Sequence, residues 1–470
     1  MRPHSVSSFV LTMSVVAAGV ILPSLLSHAE GGEPRYFVVK NARIIPVSGP
    51  VIENGTVVVA NGLIQAVGTD ATIPPEAWVI DGKGLTVYPG LIDAGTSIGL
   101  PKPEPEAAGG GRGRRRAPPP EQIAMGPEDR PATTPWRIAA DELKLDDKRI
   151  ETWRNAGFTT TLSIPDAGIF PGQGTVINLA GERSGDMVVK SHATVGLSFK
   201  PTGGFWSFPG SLMGVIAYVR QVFDDTRWSS QAEGIYEAHI RGTERPPYDR
   251  TGHFLEKSLE RRELFLVPAN NSIEILRGLK LAQEWDLRAA LYGAQQGYEV
   301  ADAIATKKMP VLVNLKWPEK PKDADPEAEE TLRDLRFRDR APSTPAALVK
   351  IGVKFGFYSD GLDSPKDIQK SIKRALDAGL SPDAALRAFT LDAADILGVS
   401  DRLGSIEPGK IANLVVADGD LFNEKTKVKH VFVDGRWFEI HEETPPPKPE
   451  GKPADDDDDD AARHIAVVKR

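Results

Sequence analysis

Few side chains in this sequence have the type and spacing that metal or nucleophilic chemistry requires. There is no cysteine. That excludes disulfides, thiolate metal sites, a cysteine nucleophile and a lipidated-cysteine anchor. His192, His239 and His253 could converge on a displaced metal site, although histidines scattered at such intervals more often sit on a surface or cap a helix. No histidine lies between His253 and His430. Asp93, Asp166 and Asp360 lie in or just after short apolar runs. If those runs are strands, the three carboxylates could gather as a hard-cation site, because calcium and magnesium favour such oxygens. The plainer reading is that Asp93 and Asp360 hydrogen-bond loop backbone. The stretch Thr202-Gly203-Gly204-Phe205-Trp206-Ser207-Phe208-Pro209-Gly210 joins aromatics to glycines, which suits a lid or partner surface, or equally a packed Ω-loop.

The elements that would position these residues alternate along the middle of the chain. Short apolar runs occur at 90–98, 158–164, 195–199, 264–267, 289–292, 311–315 and 355–358, with helical patterns at 272–284, 297–305, 365–378 and 382–397. The last has a full set of boundary signals: Ser381 as N-cap, Pro382 at the first position, Asp383 in the first turn and Gly398 as terminator. Such alternation over about 300 residues points to a parallel sheet closed as a β/α barrel. The two ends of the chain are β-rich instead. Asn54-Gly55, Asn61-Gly62 and Asp434-Gly435 supply the positive φ angles of tight hairpins. One small sandwich assembled from both ends is therefore expected, over 30–88 and 404–441, with the barrel, 89–403, inserted between its halves.

Three stretches resemble the amidohydrolase superfamily, especially its imidazolonepropionase-like members. They are Val87-Tyr88-Pro89-Gly90-Leu91-Ile92-Asp93-Ala94, Phe357-Tyr358-Ser359-Asp360-Gly361, and the run from Asp401 through Gly404, Pro408-Gly409-Lys410 and Asn413 to Val416. The resemblance covers nearly all of residues 36–440. It implies a (β/α)8 barrel whose C-terminal mouth binds one or two divalent metals. The ligands in the family are His-x-His on strand one, a carboxylated lysine or glutamate on strand four, one histidine each on strands five and six, and an aspartate on strand eight. Alternate strand residues face the same side, so His-x-His aims two imidazoles at one point. The metal acidifies a bound water and the aspartate takes its proton.

This sequence departs from that pattern at almost every ligand. Strand one reads Asp93-Ala94-Gly95-Thr96-Ser97, with Gly95 and Ser97 where histidines belong. The matching positions fall near Pro268 and Asn270 on strand five and at Gly293 on strand six. Only Asp360 survives, and either Lys190 or Lys200 could stand at strand four. One carboxylate cannot close a zinc site, which takes three protein ligands even when catalytic. No cofactor is therefore expected. The resemblance then implies a degenerate amidohydrolase that binds a small-molecule ligand or a catalytic paralogue. The alternative is an active hydrolase of non-peptide C–N bonds (cyclic amides, ureido or dipeptide-like substrates) with an atypical site for a divalent metal such as zinc.

The ends of the chain bear on where it works. Arg2, the uncharged run 9–22, Pro23 and Ser27-His28-Ala29 read as a secretion signal over 1–29, giving a secreted or periplasmic protein without a stable membrane anchor after cleavage. The competing reading is an uncleaved anchor helix. The Pro/Gly/Arg-rich segment 101–120 and the tail 442–470 cannot bury a core. The formal net charge is −8, and the six aspartates at 455–460 account for most of it. The near-neutral remainder argues against nucleic-acid binding. A homo-oligomer is compatible with all of this.

Overall fold

The computed structural model describes residues 36–101, 130–201, 208–320 and 329–440. The secretion signal, the Arg-rich loop, the acidic tail and residues 202–207 of the aromatic segment lie outside these. Five strands come first: β1 (Tyr36–Ile44), β2 (Ile52–Ala60), β3 (Leu63–Gly68), β4 (Trp78–Asp81) and β5 (Thr86–Pro89). The barrel begins with β6 (Leu91–Thr96), α1 (Lys148–Asn155), β7 (Phe158–Ser163), β8 (Gln173–Asn178) and β9 (Val188–Gly196). A helical excursion follows, α2 (Leu212–Ala238) and α3 (Arg250–Glu260). Then come β10 (Leu264–Ala269), α4 (Ser272–Glu284), β11 (Ala289–Gly293), α5 (Ala301–Lys307), β12 (Val311–Asn314), α6 (Leu332–Arg340), α7 (Thr344–Lys350) and β13 (Phe355–Tyr358). After α8 (Pro365–Asp377), α9 (Pro382–Ala388) and α10 (Leu391–Leu397), the chain returns through β14 (Leu414–Ala417), β15 (Val428–Val433) and β16 (Arg436–Glu439).

The two ends build one sheet, ordered β16-β15-β14-β5-β1-β2-β3, with β4 also pairing on β1. The joint is β5, parallel to β1 on one side and antiparallel to β14 on the other. Two of the three expected hairpin turns form: Asn61-Gly62 has φ of 51° and 81°, and Asp434-Gly435 has 52° and 74°. Asn54-Gly55 is not a turn. It continues β2, and Gly55 is small because a Cβ there would lie 2.4 Å from the Ile44 side chain.

The barrel sheet runs β6 to β13 in chain order, so β10, β11 and β13 hold its fifth, sixth and eighth places. Seven strands run one way; β8 is antiparallel to both neighbours. No apolar run marked β8 in the sequence, because its Gln173, Gly174, Thr175 and Asn178 are buried by hydrogen bonding and close approach. Ile92, Leu162, Leu264, Leu266, Ala290 and Leu312 fill the interior with Leu397 of α10, while their strand neighbours pack outward on the helices. The expected helix over 382–397 is two helices. Ser381 caps the first and Gly398, at φ 68°, ends the second, but the chain breaks at Thr390 (φ −130°, ψ −99°), whose hydroxyl donates to the Leu386 carbonyl at 2.6 Å. Among the described residues no helix is long and apolar enough to cross a membrane.

Candidate functional site at the barrel mouth

The C-terminal ends of the parallel strands meet at Gly95, Pro268, Tyr292, Tyr358 and Asp360. Strand alternation orients them. Ala290 faces the interior and Leu291 the outer helices, so Tyr292 faces inward. The same rule turns Tyr358 inward between outward Phe357 and Ser359. The two rings stack, with centroids 4.0 Å apart and planes 13° from parallel. A Cβ on Gly95 would lie 2.9 Å from the Tyr292 hydroxyl, 3.0 Å from its ring and 3.2 Å from the Tyr358 Cβ. The stacked pair thus occupies the space that a side chain at Gly95 would need. The Tyr358 hydroxyl bonds Asn314 and Tyr292. Burial pushes both phenols upward, Tyr292 with further help from Tyr358, Asp360 and Asp93, so both stay neutral.

The other positions in the sequence argument have their own occupations. Ser97 accepts from Arg149 Nη1 at 3.0 Å, and its carbonyl accepts from Arg149 Nη2 at 2.8 Å. Asp147, the N-cap of α1, holds that guanidinium at 2.7 Å as an ion pair and so fixes it beside Ser97. Pro268 pairs with Tyr292 across β10 and β11 and offers no donor atom from its ring. Gly293 is not the inward residue of β11. Its φ is 117°, and a Cβ would fall 2.1 Å from Asn270 Oδ1, so this backbone admits only glycine there.

Asp93 does not face the mouth, as a hard-cation site there would require. The carboxylate is 1% exposed and lies in the seam between β6 and β13. Its Oδ1 accepts the Ser359 N–H at 3.0 Å; its Oδ2 accepts the Ser359 hydroxyl at 2.5 Å and the Trp153 indole N–H at 3.2 Å. Burial raises its pKa to about 7, against the pull of these bonds. Asp93 is the clasp that closes the barrel, and it lines no open cavity.

Asp360 keeps solvent access at the rim. The protein crowded round its carboxylate, and then Asp166, hold its pKa above the ordinary range, while Lys200, the Gly361 N–H and Lys316 pull it down. The Lys316 stem lies over Gly361, its Cδ 2.9 Å from the site of an absent Cβ. Of the two candidate lysines, Lys200 is therefore the one at the mouth. Lys190 sits at the opposite end, where its ammonium donates to the Leu397 carbonyl at 3.0 Å. Asp166, Lys200 and Lys316 thus all act on the Asp360 carboxylate at the rim.

These residues do not fit the metal that the fold implies. Among the described residues no three His, Asp or Glu side chains form a group able to hold one. His192 bonds Ser191, His239 caps α2, and His253 sits against the Tyr248 and Phe254 rings. Nor do Asp93, Asp166 and Asp360 make a hard-cation site, since Asp93 is enclosed in the seam. Tyr292, Tyr358 and Arg149 are not among the residues expected at the mouth from the sequence. Alternation along Ala289-Ala290-Leu291-Tyr292 and Phe355-Gly356-Phe357-Tyr358 could have found the tyrosines. Arg149 gave no comparable signal.

Comparison with known proteins agrees with the architecture. The amidohydrolase family model matches residues 331–438. An amidohydrolase crystal structure from Thermotoga maritima is 26% identical, with a TM-score of 0.69, covering 86% of this chain and 100% of that one. A Xaa-Pro dipeptidase structure, 17% identical at a TM-score of 0.50 over 86% of this chain and 100% of that one, shares the fold. The adenine deaminase of Moorella thermoacetica is 33% identical over 79 residues, 17% of this chain and 13% of that protein, so the match spans a small part of that relative's length. The similarity to amidohydrolases thus lies in the segment 331–438 and in the fold of the described chain.

Proposed function

We propose that this is a secreted member of the family whose barrel mouth binds a ligand without metal-dependent hydrolysis. The observation that carries the reading is the Tyr292–Tyr358 stack against Gly95, which fills the first ligand position on strand one with neutral phenols. The Arg149 guanidinium beside Ser97 supports it, because Asp147 holds it in place and the Ser97 hydroxyl at the second position is already engaged as its acceptor. The ligand is a small molecule held at the rim. Asp166, Asp360, Lys200 and Lys316 present both signs of charge there and suit a zwitterion such as an amino acid or short peptide. A catalytic paralogue is the other partner that this reading allows.

One observation favours a second reading, an active C–N hydrolase. Asp360 stands at the family's proton-accepting position with a raised pKa, as a general base would. Calorimetric titration with amino acids and dipeptides, alongside a hydrolysis assay, separates the two. The binding reading expects heat of binding that Asp360→Ala and Lys316→Ala both abolish, with no product formed. Turnover of a dipeptide, lactam or ureido compound that depends on Asp360 would contradict it.

A further inference from the structure

The long helix α2 changes its apolar side halfway. In its first half Val215, Tyr218, Val219, Val222, Phe223 and Thr226 are buried toward the barrel. No residue from 227 to 238 is buried. At 3.6 residues per turn, Trp228, Ala232, Ile235 and the C-cap His239 share one face, and it points roughly opposite to the side buried earlier. Trp228 is 61% exposed and Ile235 59%. Scattered exposed apolar residues are ordinary. A stripe along a helical extension that has no buried residue, and whose Trp228 and Ile235 are mostly exposed, is a different matter, because a helix of that length is marginal without support.

We propose that this stripe docks against the same stripe of a second copy of the chain, antiparallel across a two-fold axis. A two-fold contact is self-complementary, so its residues must be spaced alike in both directions. Asp224, Trp228, Ile235 and His239 lie at intervals of four, seven and four. About a centre between Gln231 and Ala232, Trp228 meets Ile235 of the partner subunit and Asp224 meets His239 of the partner subunit. An apolar pair and an acid–imidazole pair are then each made twice. The small Ala232 at the centre lets the helices approach closely. Such a contact buries on the order of 1,000 Å², the lower end for a specific interface.

Sedimentation of the full chain tests this directly. The wild type should sediment as a dimer, and W228E/I235E as a monomer that associates at least about ten-fold more weakly. Its circular dichroism should be unchanged, since both side chains are already exposed. D224K alone should weaken the dimer, and D224K/H239D should restore it. Because the chain has no cysteine, A232C gives an independent reading: mild oxidation should link two copies covalently, whereas E237C, on the opposite face, should not. A wild type that stays monomeric at about 100 µM, a dimer indifferent to W228E/I235E, or a monomer that binds phosphatidylglycerol vesicles through Trp228 would overturn the proposal.

Discussion

The end of β6 and the return segment 401–416 both carry family motifs, and the molecule uses them differently. In the return segment each characteristic residue has a structural task. Gly404 takes φ 90°, with a Cβ position only 2.8 Å from the Ala394 Cβ and 2.9 Å from the Leu391 Cα. Asn413 donates to Thr160 of β7 at 2.9 Å and to Asn178 of β8 at 2.8 Å, while its side-chain oxygen accepts the Asp434 N–H at 2.8 Å, so one amide ties barrel to sheet. At the end of β6 Asp93 has such a task, and so does Thr96, whose hydroxyl bonds that of Thr161 at 2.9 Å. Gly95 and Ser97 meet a tyrosine ring and a guanidinium. The barrel needs its return segment to close. On the proposed reading the mouth is under no such constraint, so that region can be refilled without loss of the fold.

The comparison breaks most visibly at Asp93. Asp93→Ala strands the Ser359 N–H, the Ser359 hydroxyl and the Trp153 indole in the seam and should cost about 4 kcal/mol in urea unfolding. A cost below about 1 kcal/mol would remove the clasp from the account. The same group sets a pH trend. Its pKa is raised from 3.8 to about 7 on folding. The native state therefore binds the proton more tightly, and this contribution is fully present below the unfolded pKa and lost as pH rises through the folded one. Asp93→Asn should flatten the fall in unfolding free energy between pH 4 and pH 7 relative to wild type. An unchanged slope would assign that trend to other groups.

Two glycine substitutions sharpen the contrast. Gly404→Ala forces a side chain into the left-handed region and against backbone, and should cost about 3 kcal/mol. Gly95→Ala meets mainly the far end of Tyr292, which can shift, and should cost about 1 kcal/mol. Equal penalties would contradict the claim that the mouth is the more permissive region. The smallest effect is expected for Tyr358→Phe, which removes the hydroxyl that bonds Asn314 but keeps the stack. It should lower stability by about 0.5 kcal/mol, measured by the same unfolding assay.

Much of this frame was legible in the sequence because local chemistry dictates it. Asn61-Gly62 and Asp434-Gly435 had to turn, Ser381 had to cap, and the family motifs placed the barrel. Asn54-Gly55 misled because the same dipeptide is also small, and β2 uses the smallness at Ile44. β8 was invisible because its burial rests on polar and glycine residues. At the mouth, the absence of histidines was plain. What replaced them was not, since the Tyr292–Tyr358 stack and the Arg149–Ser97 bond join residues dozens of positions apart. The enclosure of Asp93 by Ser359 and Trp153 was hidden for the same reason.

The proposed function rests on a mouth that holds no divalent ion. Its direct test is elemental analysis of the full chain, produced in medium supplemented with zinc, manganese and iron and dialysed without chelator. The account predicts well under about one tenth of an equivalent of each metal per chain, unaffected by Asp360→Ala. A full equivalent that survives dialysis and disappears in Asp360→Ala would contradict it.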